Sequence, residues 1–161
     1  MPFSIEWEGA DELLRKMDKL PEKAAKIAAE ALYEGAGVMA DSVSKAVHGI
    51  ATEEFEYAAG GRKRMPSPEE KAILESAKHG VARFRNDGNV IQTSIGFDNA
   101  GYAKLAGKTV PVPLIANSIN HGTSFMQKQP FLRRAFSQNQ GKAIATIEAG
   151  IKSREDELEL D

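Results

Sequence analysis

The chain contains no cysteine. Disulfides, thiolate metal sites and a cysteine nucleophile are therefore excluded together. A cysteine-free chain suits the cytosol or a particle assembled there. Only three histidines occur in 161 residues: His48, His79 and His121. They are far apart, form no HxxxH or HExxH spacing, and fall near the expected ends of helical segments, where a cation suits the macrodipole. No apolar run approaches the ~20 residues that a membrane span needs. Residues 1–6 carry no positive flank and no hydrophobic stretch, so no signal peptide is expected. A net charge of −2 gives no global attraction to nucleic acid or to an anionic membrane.

Catalytic patterns are equally scarce. No serine lies in a GxSxG elbow. Gly60-Gly61-Arg62-Lys63 lacks the spacing of a phosphate-binding loop. The pairs Glu53-Glu54 and Glu69-Glu70 are adjacent, so on a helix they point in different directions. They read as a solvated face and as partners of a helix N-terminus. The sequence predicts no enzyme, no catalytic residue, no cofactor and no metal.

What is present is an ordinary globular composition, 42% apolar, enough for a core in one domain. Phe3, Ile5 and Trp7 alternate with polar residues and predict a short strand. Asp11 would cap a helix over 11–20, which Pro21 stops. Over 21–48 the residues Ala24, Ile27, Ala28, Ala31, Leu32, Gly35, Val38, Met39, Val43 and Ala46 form one stripe at spacings of three and four. This predicts a core helix of about 42 Å. Ala28, Ala31 and Gly35 would let another backbone approach closely, and Gly35 and Gly37 allow a kink. Gly49 reads as its C-cap.

Residues 50–67 read as a flexible connection, with Gly60-Gly61 at its centre. Ser67-Pro68-Glu69-Glu70 then starts a helix that runs to about Lys78. Asn86-Asp87-Gly88-Asn89 predicts a hairpin turn. With Asp87-Gly88 as the loop, Phe84 would lie opposite Ile91 and Ala82 opposite Thr93, leaving Arg83 and Arg85 on the outer face. Residues 99–112 read as loop, because Pro111 and Pro113 argue against a central strand. The next stretch, to Asn120, fits either a short helix or an edge strand. Gly122 reads as a stop, Thr123 and Ser124 as turn-fixing hydroxyls, and Pro130 as the start of a last helix. Phe131, Leu132 and Phe136 would anchor that helix, whereas Gly141 and Gly150 weaken it. Residues 155–161 are mostly acidic and predict a solvated, disordered tail. Together these predict an α+β fold: a small antiparallel sheet packed against a long N-terminal helix and a C-terminal helix, with the domain spanning 1–154.

Arg62-Lys63-Arg64 is the one dense basic run. It reads as a solvated loop or a docking loop for an acidic protein surface. With Arg83 and Arg85 it also supports a rival reading, a small nucleic-acid-associated protein, although no aromatic residue interleaves the run as a single-strand platform requires.

Two stretches carry a resemblance. One is Ile5-Glu6-Trp7-Glu8-Gly9, then Asp11-Glu12-Leu13-Leu14 and Leu20-Pro21-Glu22 before an Ala-rich helix. The other is Gly122-Thr123-Ser124, Met126, then Gln129-Pro130-Phe131-Leu132-Arg133 and Ala135-Phe136. With these, the chain resembles the tail-component, or head–tail joining, family of long-tailed bacteriophages. Asn120-His121 stand where that family usually has an acid and an aromatic, and the connection from Ile50 to Lys78 is longer. The resemblance implies a non-enzymatic neck protein that joins the capsid connector to the tail as an oligomeric ring in the assembled particle, with either a ring or a monomer in solution. It implies a virion location after assembly in the host cytoplasm, with connector, adaptor and tail proteins as partners and no membrane or specific nucleic acid. A tail terminator or minor tail protein is the neighbouring alternative. The contact candidates are Arg62, Lys63, Arg64, Arg83, Arg85, Gly122, Thr123, Ser124 and Met126; the structural anchors are Pro130, Phe131, Leu132 and Phe136.

Overall fold

Two long helices frame the molecule: α1, Glu22–His48, and α4, Phe131–Glu159. Between them in sequence come α2 (Pro68–Glu75), β1 (Val81–Arg85), β2 (Thr93–Phe97), β3 (Tyr102–Leu105), β4 (Lys108–Pro111) and α3 (Val112–His121). The computed structural model describes residues 22–54, 62–76, 81–85, 92–97 and 101–159. The strand expected at 3–7, the helix expected at 11–20, Gly60-Gly61 and the Asp87-Gly88 turn lie outside the described residues. The fold is α+β, with α1 packed along α4 and with small antiparallel strand pairs.

The stripe on α1 meets α4 in layers. Ala31 and Leu32 pack with Ile147. Ala36 and Met39 pack with Ala143 of α4 and Ile95 of β2. Val43, Val47 and Ile50 then enter the main core, where Phe97, Ile115, Ile119, Met126, Phe131 and Leu132 converge. The helix runs through Gly35 and Gly37 without a break. Gly35 is instead a contact point: a Cβ there would overlap Ile147 Cγ1 and sit 3.1 Å from the Ala143 carbonyl oxygen. A Cβ on Gly150 would come within 3.1 Å of Ala31 Cβ. Small residues on both helices thus set the approach of the two backbones. At the far end, Arg154 donates to Glu34 at 2.6 Å and lies 3.7 Å from Glu30. The Arg154 hydrogen bond holds the Glu34 carboxyl below its ordinary pKa.

The strands depart from expectation in two ways. In the β1–β2 pair, Arg83 is opposite Ile95, Phe84 opposite Ser94 and Arg85 opposite Thr93. Relative to the expected register this is an offset of an odd number of residues, which exchanges the faces of β1. The ground for placing Arg83 and Arg85 on the outer face is therefore removed. Either register keeps Ile95 and Phe97 on one side of β2, so the apolar pattern alone does not choose between them.

The second departure is a hairpin, β3–β4, where a loop was expected. Its pairing closes at Leu105 and Lys108. Ala106 and Gly107 have φ of 49° and 78°, both positive, as a two-residue type I′ turn requires. Pro111 is tolerated because it faces Tyr102, a position that exchanges no hydrogen bonds in a hairpin of this register. The next bonded pair is in place: the Val112 N–H donates to the Gly101 carbonyl at 3.2 Å.

α3 settles the helix-or-strand alternative as helix, with Val112, Ile115, Ala116 and Ile119 buried at helical spacing. α2 starts where expected, with a capping box between Ser67 and Glu70, but stops at Glu75. α4 continues to Glu159 where a disordered tail was expected. Glu and Leu are good helix formers, and propagation from a packed helix avoids a new nucleation step.

Two substitutions test this packing. Gly35→Ala should destabilise the fold by about 1–3 kcal/mol through overpacking, although Ala is the better helix former. Gly141→Ala, where a Cβ meets nothing within 4 Å, should stabilise by up to about 1 kcal/mol. Thermal melts of the two variants should therefore move in opposite directions. Phe131 is 5% exposed, and its ring stands edge-on to Phe97 at a centroid distance of 6.2 Å. Phe131→Ala should cost about 3–5 kcal/mol in denaturant unfolding.

Candidate assembly surface

Hydrogen bonds fix the segment 122–129, and of the two hydroxyls expected to fix the turn Thr123 does so. α3 ends at Gly122, whose φ of 74° turns the chain and whose N–H donates to the Ser118 carbonyl. Thr123 Oγ1 accepts from the N–H groups of Phe125 and Met126 at 3.1 and 2.9 Å. Ser124 is exposed and takes no part in these bonds. The turn sends two neighbouring side chains in opposite directions. Met126 is 3% exposed and joins the main core, whereas Phe125 is 76% exposed. Met126, expected to touch a partner, is therefore a core residue.

A second stretch locks onto the turn. The Arg64 N–H donates to the Phe125 carbonyl, and the Gln127 N–H donates to the Arg64 carbonyl, both at 2.8 Å. These bonds make a parallel bridge between Arg64 and Met126. Farther on, Gln129 clasps the chain after α1: its Oε1 accepts from the Ala51 N–H at 3.0 Å, and its Nε2 donates to the Ala51 carbonyl at 2.9 Å. Asn120, buried at the end of α3, accepts from the Leu132 N–H at 3.2 Å and so caps the first turn of α4. Pro130 stands just before that helix, and Leu132 and Phe136 pack into the main core beside Phe131.

The basic run divides three ways. Arg62 is exposed and pairs with Glu53. Lys63 is exposed. Arg64 reaches inward and grips Glu70 with two parallel bonds, each 2.9 Å. Glu70 is 4% exposed, and it serves the N-terminus of α2 as the sequence predicts. It also accepts from the Ser67 N–H at 2.7 Å. Burial pushes the Glu70 carboxyl up, but Arg64 and Ser67 outweigh that and hold it below its ordinary value. The same hydrogen bonds raise Arg64. Arg64 is thus a structural clip rather than a free docking cation. Arg83 and Arg85 lie in β1, paired with β2.

Beside the clip lies a groove of about 870 Å³, lined among others by Leu105, Val110, Leu114, Ile115, Phe125 and Met126. Arg62 and Lys108 also border it. Leu114 is 53% exposed. The sequence reading missed Phe125 and Leu114. The signal for Leu114 was present, since it falls off the stripe made by Val112, Ile115, Ala116 and Ile119. For Phe125 the signal was weaker: one large apolar residue inside a polar turn, next to a methionine of similar hydropathy.

His48 ends α1 and contacts Glu75 at 2.7 Å on the surface, and His121 ends α3, exposed. Among the described residues no group of three or more His, Asp or Glu side chains is placed to hold a metal ion. No described helix is long and apolar enough to cross a membrane. Comparison with protein-family models, with curated proteins and with solved structures finds no match in any of the three.

The Arg64–Glu70 clip makes a pH prediction. A carboxyl whose folded pKa is lowered adds stability above its ordinary value near 4.5, and that contribution is lost as pH falls through the folded value. Glu70→Gln should cost about 2–4 kcal/mol at neutral pH, near the low end for breaking a buried pair because Arg64 remains partly exposed. The difference between wild type and variant should shrink below about pH 4 in an acid series of melts.

Proposed function

We propose that this chain is a non-enzymatic structural subunit of the head–tail junction of a long-tailed bacteriophage, assembling as a ring between the capsid connector and the tail. One observation carries the reading. The segment that bears the family resemblance, 122–136, is fixed so that Phe125 stands 76% exposed at a groove also lined by Leu114, which is 53% exposed. Single exposed apolar residues are common, but a hydrogen-bonded turn presenting one at the border of a groove of mixed polar and apolar lining is a feature of interaction surfaces.

In this reading α1 and α4 form the scaffold, and the α3–α4 turn with the β3–β4 hairpin makes contacts. Binding at such a surface buries apolar area without first ordering a loop, because the clip and the Thr123 turn have already ordered it. The partners are further copies of the chain and the connector, adaptor and tail proteins. The particle forms in the bacterial cytoplasm and ends in the virion. A tail terminator or minor tail protein would use the same surface. The nucleic-acid reading is weakened, since Arg64 is engaged by Glu70 and Arg62 by Glu53.

Light scattering with negative-stain imaging of the purified protein tests the reading, and rings of one symmetry are expected. The double variant Phe125→Asp with Leu114→Asp should weaken self-association at least about tenfold, or roughly 1.4 kcal/mol. Its folding stability should change by no more than about 0.5 kcal/mol, as for other surface substitutions. Rings that form equally well with both residues changed would count against this surface. A chain that stays monomeric throughout while retarding DNA at low salt would favour the rival.

A further inference from the structure

A second groove, of about 470 Å³, lies between α1 and α4. Its lining includes three cations, Lys45 of α1 and Arg134 and Lys142 of α4, against one acid, Asp41. Among the described residues no ion pair is made by any of the three. Phe131 and Ala135 contribute apolar lining. The groove is therefore cationic with apolar patches, and the chain carries a segment of matching character. Residues 155–161 hold Glu155, Asp156, Glu157, Glu159 and Asp161, with Leu158 and Leu160 among them.

We infer that this groove receives the acidic end of α4 from a second copy of the chain. The inference rests on the proposed self-assembly and names two of its surfaces. Geometry excludes pairing within one chain. Lys142 and Glu155 sit on the same continuous helix, thirteen residues apart, which is about 20 Å of axial rise. Arg134 is farther still, about 32 Å along the axis. A continuous helix does not fold back on itself, and Arg154 ties this one to Glu34 of α1 just before the acidic run. The acids carried on α4, Glu155 to Glu159, therefore meet the groove only on another molecule.

Energetics favour the same pairing. Acids in the last turn of a helix oppose its macrodipole. In the isolated subunit water screens that repulsion; in the assembly the neighbour's cations would offset it. The contact joins two different patches, one at each end of α4. Such a heterologous, head-to-tail interface closes into a ring when its rotation closes, and otherwise runs on as a filament.

A fluorescein-labelled synthetic peptide of residues 153–161, titrated into the full-length protein by anisotropy, tests the site directly. Binding is expected at low salt, with affinity falling at least about tenfold between roughly 50 and 300 mM salt as screening shortens. The triple variant Lys45→Glu, Arg134→Glu, Lys142→Glu should lose the peptide, and a peptide with the five acids replaced by Lys should bind that variant instead. This charge-swapped rescue also shows that the variant is folded. No binding at low salt, or equal binding to wild type and triple variant, overturns the inference. Sedimentation velocity of the same proteins separates it from the broader reading. Rings that survive the triple reversal sink this interface and leave ring assembly standing. A chain that binds the peptide yet never assembles keeps the groove and sinks ring formation by the chain alone.

Discussion

The close approach of α1 and α4 is the constraint on which the remaining structure depends. It is set by small residues facing each other, Gly35 and Ala31 on one helix and Ala143 and Gly150 on the other. Larger residues fill the space on either side, with Met39 and Ile147 almost wholly buried. Because interiors pack at near-crystalline density, this spacing also fixes where the C-terminal end of α1 delivers Val43, Val47 and Ile50. Those side chains form the floor on which α3, β2 and the start of α4 are laid. A change at Gly35 would therefore be felt well beyond its own contacts.

The second level of organisation is polar. Asn120 caps α4 from the end of α3, Gln129 clasps Ala51, and the backbone bonds of Arg64 to Phe125 and Gln127 hold the stretch 62–66 against the α3–α4 turn. Each interaction joins segments distant in sequence, and each satisfies backbone or charged groups that burial would otherwise leave unpaired. Their combined effect is to make a turn rich in glycine, threonine and serine rigid. Rigidity lets Met126 point into the core while its neighbour Phe125 stays in water.

The sequence made legible what is decided locally. The α1 stripe, the Ser67–Glu70 capping box, the Gly122 stop and the start of α4 all rest on spacing or on cap chemistry within a few residues. The misreadings share another cause. Pro111 looked like a strand breaker because its tolerance depends on the register set by Ala106-Gly107, not on Pro111 itself. Arg64 looked solvated because nothing near it in sequence announces that Glu70 is buried. The β1–β2 register escaped because Ile95 and Phe97 fall on one face under either pairing. Residues 155–159 looked disordered by composition, whereas helix already formed upstream carries them on. In each case the deciding feature is a pairing, a burial or a continuing helix that the residue type itself does not announce.

A stiff helical pair changes what the surfaces at its ends can do. If contacts sat on independent loops, the angle between successive subunits would vary, and closure into one ring size would not be specified. Here the cationic groove and the acidic end share α4, and the Phe125 turn is bolted to the start of the same helix through Asn120 and Phe131. The angle between any two of these surfaces is then set by α4 and its packing on α1. In the proposed ring, geometry would then be a property of the core. The glycine and alanine contacts that hold the subunit together would, through that angle, also decide how many subunits close.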